Sequence, residues 1–161
     1  MKRLCLWALA LACLLCLTAC AEKEDPVVFY YPQTEISYHT DGGILIPEVR
    51  DTLNREDNLA YLLSFYLKGP IDPDLRLPVP EGTKLLRLVP YDGGMVLVMS
   101  RDFSQLEGMD LTIACAGISK TCFGLTDLQE ITFASGNQNN VLCIIHRDSL
   151  VLTDTVTQTT D

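Results

Sequence analysis

The sequence predicts an α+β fold, a two-layer sandwich in which two helices pack on one face of a small, mainly antiparallel sheet. Two segments repeat apolar residues at helical spacing, and about six short apolar runs have the length of strands. Two Asp-Gly-Gly sequences lie between such runs and are typical of hairpin turns, because glycine adopts the positive φ that these turns need. A helix with one apolar face must bury that face against another element, which favours helices packed on a sheet.

The first hairpin is predicted near the start of the folded domain. Residues 27–31 and 44–46 are apolar runs, and the Asp-Gly-Gly turn at 41–43 lies between them. Pro47 follows the second run. Since proline cannot donate a hydrogen bond to a neighbouring strand, this run is predicted to be an edge strand or irregular.

The first helix is predicted over residues 57–68, with Asn54 or Asp57 as its cap. The Gly-Pro pair at 69–70 then stops the helix, because proline cannot continue it. Tyr61 lies off the apolar face and is therefore predicted to be a contact residue. The apolar face itself consists of Leu59, Leu62, Leu63, Tyr66 and Leu67.

The second half of the domain repeats the hairpin and adds a longer helix. Strands are predicted at 85–89 and 95–99 around the turn at 92–94, and a helix over 109–123 that ends at Gly124. The apolar stripe of this helix is rich in small residues, which predicts close packing on the sheet. A polar loop at 135–140 then separates two further strands at 128–133 and 141–145.

The first 19 residues have the pattern of an export signal. Two basic residues come first, residues 4–17 are almost wholly apolar, and small residues precede a cysteine. The end of this segment resembles the lipobox of bacterial lipoproteins, in which the cysteine thiol takes a diacylglycerol and the chain is cut just before it. A plain cleaved signal and an uncut membrane anchor are the alternatives. The lipobox residues are Leu17, Thr18 and Ala19, and the lipidated residue is Cys20.

The chain is therefore divided into a signal at 1–19, a short tether at 20–26, a folded domain at 27–150 and a disordered threonine-rich tail at 151–161. Six extended residues reach only about 20 Å. The sequence thus predicts a lipid-anchored domain held close to the outer face of the cytoplasmic membrane.

The charge of the chain disfavours nucleic acid as a partner. The formal net charge is −9, and loss of Lys2 and Arg3 with the signal leaves 10 basic against 21 acidic residues, or −11. Proteins that bind nucleic acid need a basic surface to neutralise phosphates. The same charge disfavours an electrostatic attachment to anionic lipid.

Three cysteines remain in the folded domain after the signal and the lipid anchor are set aside. Cys115 and Cys122 lie about 10 Å apart along a helix, beyond the roughly 7 Å between Cα atoms that a disulfide spans. Either could pair with Cys143, although buried free thiols are the favoured alternative. A zinc site that adds His146 fails, because Cys143 and His146 point to opposite faces of a strand.

No recognisable catalytic motif occurs, and we predict that the protein is not an enzyme and needs no cofactor. His39 and His146 are the two histidines. His146, Asp148 and Ser149 are too close along the chain to converge as a catalytic triad. The nearby pair of acidic residues at 72 and 74 is flanked by prolines and is explained as turn residues.

Several segments between residues 27 and 133 share the order and spacing of a known family. Leu-Lys-Gly-Pro ends the leucine-rich helix, Pro-Glu-Gly-Thr-Lys-Leu opens the third strand, and a serine ends the fourth. Together they resemble the GerM domain, a module of sporulation and spore germination in Gram-positive bacteria. The resemblance assigns structural roles to Gly69, Pro70, Pro80, Gly82, Thr83, Ser100 and Thr121.

The resemblance implies a fold related to the ring-building motifs of secretion machines. It implies a role in assembling an envelope complex by contact with a partner protein and without catalysis. The chain departs from the pattern at Cys122, where a leucine is expected after Thr121, and in having one domain where some relatives have two. A sensor that binds a small ligand or a cell-wall fragment is the alternative function.

Overall fold

The computed structural model describes residues 26–35, 43–51 and 58–154. The signal and lipobox with Cys20, most of the tether, His39, the first two residues of the turn at 41–43, the predicted caps Asn54 and Asp57, and the tail from residue 155 lie outside this part. The elements in chain order are β1 (Val27–Pro32), β2 (Leu45–Arg50), α1 (Leu59–Tyr66), β3 (Leu85–Tyr91), β4 (Gly94–Met99), a 3₁₀ helix (Arg101–Gln105), α2 (Gly108–Leu125), β5 (Glu130–Ser135), β6 (Val141–His146) and α3 (Arg147–Asp154).

The α+β fold is confirmed, but the six described strands form two sheets instead of one. β1 and β2 form an antiparallel pair, which makes β2 the edge strand that Pro47 predicted. The other four strands form a sheet in the order β3-β4-β5-β6. β3–β4 and β5–β6 are antiparallel pairs, whereas β4 and β5 run parallel. A parallel pair needs a long crossover, and α2 lies in that crossover.

α1 begins at Leu59, two residues later than predicted. Its cap is Asn58, whose side-chain oxygen accepts a hydrogen bond from the Tyr61 N–H at 3.1 Å. An asparagine in this position satisfies one of the free N–H groups of the first turn. The helix ends at Tyr66, and Gly69 then takes a φ of 89°, which confirms the predicted stop at residues 69–70.

α2 runs past the glycine that was predicted to end it. Gly124 is a helical residue, and the helix ends at Leu125. One glycine near a helix end costs only about 1 kcal/mol, too little to stop a well-packed helix. The Thr126 hydroxyl then donates to the Cys122 carbonyl at 2.8 Å, which satisfies one of the last carbonyls of the helix.

α3 is a helix that the sequence pattern did not predict, and it continues past the predicted domain boundary at residue 150 to Asp154. The guanidinium group of its first residue, Arg147, donates to the carbonyls of Phe123, Thr126 and Leu128. Two of these carbonyls lie at the C-terminal end of α2, where a cation is favourable. Arg147 thus attaches α3 to the end of α2.

One hydrophobic core joins both sheets to the helices. α2 packs against β1 and β6 and also contacts α1 and α3. Tyr66 of α1 stacks on Tyr31 of β1 with 4.5 Å between ring centres. Within the ranges described, no helix is both long and apolar enough to cross a lipid bilayer.

Candidate functional site

An open groove lies on the surface between α1 and the first part of β3. Its cavity volume is about 500 Å³, inside the range of about 300–1,000 Å³ that is usual for ligand pockets. Most of the side chains that line it are exposed to solvent, so the groove is a surface cleft and not an enclosed cavity.

One wall of the groove is a stripe along α1. Ala60, Ser64 and Lys68 are spaced four residues apart, which places Ala60 and Ser64 on one face of the helix and Lys68 in the turn that follows it. The Lys68 ammonium lies 4.3 Å from the centre of the Phe65 ring. This cation–π contact favours one position of the ammonium group at the end of the helix.

The other wall is the edge of the four-stranded sheet. Residues 85–88 of β3 all line the groove. Because side chains alternate between the two faces of a strand, four consecutive lining residues mean that the groove follows the strand edge. The pairing of β3 with β4 shifts register between Leu85 and Arg87, which leaves Leu86 unpaired and 54% exposed.

The turn that leads into β3 contains Pro80, Gly82 and Thr83, three of the residues that resemble the GerM pattern. The Thr83 N–H donates to the Pro80 carbonyl at 3.1 Å, and Gly82 has a φ of 83°. These are the features of a type II turn, which requires positive φ at its third residue. Lys84 and Ser100 then exchange hydrogen bonds, from the Lys84 N–H to the Ser100 hydroxyl at 3.1 Å and from the Ser100 N–H to the Lys84 carbonyl at 2.8 Å. The backbone of Lys84 is therefore fixed beside Ser100 by two hydrogen bonds.

The charged residues of the groove are all basic. Lys68, Lys84 and Arg87 line it, and no aspartate or glutamate does. This local excess of positive charge lies on a chain with a net charge of −9. No motif marks these residues in the sequence, although Lys84 and Arg87, two basic residues three positions apart in an acidic chain, are a visible signal. The groove is suited to a ligand with negative charge.

A buried ion pair on β2 fixes the loop after α1. The guanidinium of Arg50 pairs with one carboxylate oxygen of Glu48 and donates to the Gly69 carbonyl at 2.7 Å. The other carboxylate oxygen accepts the N–H groups of Ile71 and Asp72, both at 2.9 Å. The backbone of Gly69, the left-handed residue of the loop, is thus bonded to β2, and its structural role in the family pattern stays a prediction.

A second polar contact joins α2 to β1. The Thr121 hydroxyl accepts the Tyr30 N–H at 3.0 Å and donates to the Gly117 carbonyl at 2.9 Å. The Tyr66 hydroxyl donates to the Tyr30 carbonyl at 3.0 Å. Burial raises the pKa of Tyr66 well above its usual value, so its hydroxyl stays protonated and able to donate.

Tyr61, the predicted contact residue, is half-buried. Its ring meets the Phe65 ring edge-on at 4.8 Å between centres, and it packs against the hydrophobic core. Tyr61 is not among the residues that line the groove. Its role as a contact residue stays a prediction.

The three cysteines of the domain are free thiols. Cys115 and Cys122 are buried and Cys143 is half-buried. Burial raises the pKa of Cys122 to about 12. Burial, together with the charge of Cys143 and a hydrogen bond to it, raises the pKa of Cys115 far above its usual value. The thiols of Cys115 and Cys143 therefore lie side by side without a disulfide between them.

We expect Cys143, the least buried of the three cysteines, to react first with an alkylating reagent. Alkylation requires an accessible thiolate, and burial both covers Cys115 and Cys122 and raises their pKa. Cys143 is therefore expected to react at least about tenfold faster than these two cysteines near pH 8. The measurement is the alkylation rate at each cysteine, followed by mass spectrometry in the folded protein. Unfolding in urea should make the three rates similar. A native rate at Cys122 equal to that at Cys143 would contradict the buried position.

The remaining polar residues considered for catalysis or metal binding are held apart. The His146 ring pairs with Glu130 at 3.2 Å, and the Ser149 hydroxyl donates to the His146 backbone carbonyl, not to the ring. The Asp72 side chain accepts the Asp74 N–H at 2.9 Å, as expected of turn residues. In the ranges that the structure covers, no three His, Cys, Asp or Glu side chains are grouped to hold a metal ion.

Comparison with known proteins identifies the fold. No protein-family model matches the sequence, and no curated protein is significantly similar to it. Among solved structures, the first GerMN domain of the sporulation protein GerM from Bacillus subtilis aligns with a TM-score of 0.55 at 14% identity, over 71% of this chain and 84% of that one. The tandem GerMN domains of the same protein give 0.52 at 17% identity over 73% of this chain, which spans only 40% of that structure.

A candidate lipoprotein from Clostridium perfringens is also similar, with a TM-score of 0.50 at 17% identity over 80% of this chain and 91% of that one. These structures share the arrangement of strands and helices with this chain. The chain therefore has the GerM-like fold that the spacing of its motifs predicted.

Proposed function

We propose that this protein is a lipid-anchored assembly module that binds an envelope protein at the outer face of the cytoplasmic membrane, without catalysis, during sporulation or germination. The observation that carries the proposal is the GerM-like fold, which the chain shares with domains of a sporulation protein. Identity of 14–17% leaves the partner open.

The N-terminal segment supports the place of action. A short apolar run after two basic residues, followed by small residues and Cys20, has the pattern of a lipoprotein signal. Two acyl chains on one residue hold a protein on a bilayer stably, whereas one holds it only marginally. One of the similar structures is itself a candidate lipoprotein.

The surface of the domain favours a protein partner over a small-molecule ligand. The groove between α1 and β3 is open, and most of its lining is exposed. A small-molecule sensor would be expected to bury most of its ligand in a pocket with few polar groups. An open cleft with three cations suits a segment of a larger partner better.

The test is cross-linked affinity capture of the tagged full-length protein from membranes of vegetative and sporulating cells. Envelope proteins are expected in the sporulating sample. Cys20→Ala, which removes the acceptor of the lipid, should reduce their recovery. Recovery of the protein alone under both conditions would contradict the assembly role and favour a sensor of cell-wall fragments.

A further inference from the structure

We infer that the groove between α1 and β3 binds an extended acidic segment of the partner protein. The inference rests on the proposed assembly function and assigns the surface that carries it. Lys68, Lys84 and Arg87 are the charged residues of the lining, and all three are cations. Carboxylate groups are the complementary ligands for ammonium and guanidinium groups.

The three cations are available for such a ligand. Lys68 lies over an aromatic ring, and Arg87 contacts the side-chain oxygen of Gln138 at 3.4 Å. Across the part of the chain that the structure describes, neither these two residues nor Lys84 forms an ion pair with a carboxylate. Since the chain as a whole carries −9, an acidic ligand is repelled elsewhere and attracted here.

The shape of the groove selects an extended chain. One wall is a strand edge, and such an edge exposes N–H and C=O groups that an extended segment can reach. Alternate side chains of that segment would point to opposite sides, carboxylates toward the cations and apolar groups toward Leu86. The register shift at Leu86 interrupts a regular fifth strand. Ion pairs would therefore carry most of the affinity, which makes binding sensitive to salt.

A membrane surface is a poorer occupant than a peptide. A flat bilayer cannot enter a concave cleft, whereas a single extended chain can. The chain without residues 1–19 carries −11, which opposes approach to anionic lipid as a whole. A single extended acidic peptide fits both the charge and the shape of the groove.

The test uses a fluorescent, acetylated peptide of about eight residues that alternates Glu and Val, long enough to span the groove at about 3.3 Å per residue. Anisotropy titration with the full-length protein should show binding that weakens as salt rises to about 0.5 M. A peptide of alternating Lys and Val should not bind. Arg87→Glu should raise the Kd about tenfold, the usual effect of losing one charged hydrogen bond.

Lys120→Glu is the matched control, because it makes the same change of charge on α2, away from the groove lining. It should change the Kd less than about twofold. Both variants should stay folded at the temperature of the titration, and Lys120→Glu should unfold at a slightly lower temperature than the wild type because it removes the contact of the Lys120 ammonium with the Tyr30 ring at 4.9 Å. Equal weakening by the two variants, or no binding of the acidic peptide, would overturn the groove assignment even where membrane capture recovers a partner. Binding to anionic vesicles without peptide binding would overturn it in favour of lipid.

The two proposals can fail separately. Partners recovered equally by the wild type and by Arg87→Glu would support assembly and reject the groove. Acidic peptide binding that Arg87→Glu weakens about tenfold, with no partner captured from membranes, would support the groove and reject assembly.

Discussion

Replacing Glu48 by alanine is expected to lower the free energy of unfolding by about 3–5 kcal/mol, the usual effect of removing one partner from a buried ion pair. The side chain of Arg50 is only 7% exposed and that of Glu48 only 11%. Without the carboxylate, the guanidinium would stay buried beside the rings of Phe29 and Tyr31, 5.2 and 5.4 Å from their centres. These rings attract a cation weakly and cannot replace a counter-charge.

Glu48→Ala also releases the loop after α1. Two backbone N–H groups, of Ile71 and Asp72, lose the carboxylate oxygen that accepts both. Urea denaturation followed by far-UV circular dichroism measures the change. The matched variant is Glu48→Leu with Arg50→Met, because apolar residues of similar size often replace a buried pair without loss. The double variant should be more stable than Glu48→Ala. A change below about 1 kcal/mol in Glu48→Ala would mean that water already solvates the pair.

Gly117→Ala is expected to destabilise the protein by about 2 kcal/mol, within the range for overpacked cores. A Cβ atom at this position would lie 2.7 Å from the Tyr66 hydroxyl and 3.0 Å from the Tyr30 carbonyl. The carbonyl belongs to the backbone of β1 and cannot turn away. The methyl group would therefore push α2 from β1 and weaken the hydrogen bond between Tyr66 and Tyr30.

Gly124→Ala is the matched control, since it makes the same substitution in the same helix. A Cβ atom there has no neighbour within 4 Å. Alanine favours the helix over glycine by up to about 1 kcal/mol, so this variant should be slightly more stable than the wild type. Urea midpoints of the two variants should move in opposite directions. If both stabilise the protein, α2 and β1 are less closely packed than the structure indicates.

Local patterns predicted the strands and the two main helices well. The hairpin of β3 and β4 follows from apolar runs around Asp-Gly-Gly, the pairing of β1 with β2 follows from the apolar runs alone, and α1 follows from its stripe of leucines. The order of strands in the sheets did not follow, because an apolar run indicates a strand but not its neighbour. The parallel pairing of β4 with β5 depends on α2 crossing between them, a tertiary arrangement without a local signal.

The missed helix and the missed groove share a cause. α3 is short and polar, and Arg147 attaches it through three carbonyls that are 19 to 24 residues away in sequence. The groove joins Lys68, in the turn after a helix, to Lys84 and Arg87 of a strand region. In each case, residues distant in sequence meet only after the chain folds. The position of Tyr61 off the apolar face of its helix predicts a contact residue. That position does not show that the Tyr61 ring meets the Phe65 ring edge-on.

The contact between α2 and β1 also determines when β1 becomes stable during synthesis of the chain. A two-stranded hairpin is barely stable alone in water, and β1 pairs only with β2 within the described strands. The groups that hold β1, from Gly117 and Thr121, lie about 90 residues later in the chain, as the 91-residue separation of Thr121 and Tyr30 shows. The first strand of the domain is therefore synthesised first and stabilised late. Until α2 has been synthesised, β1 and β2 are open to proteases and chaperones.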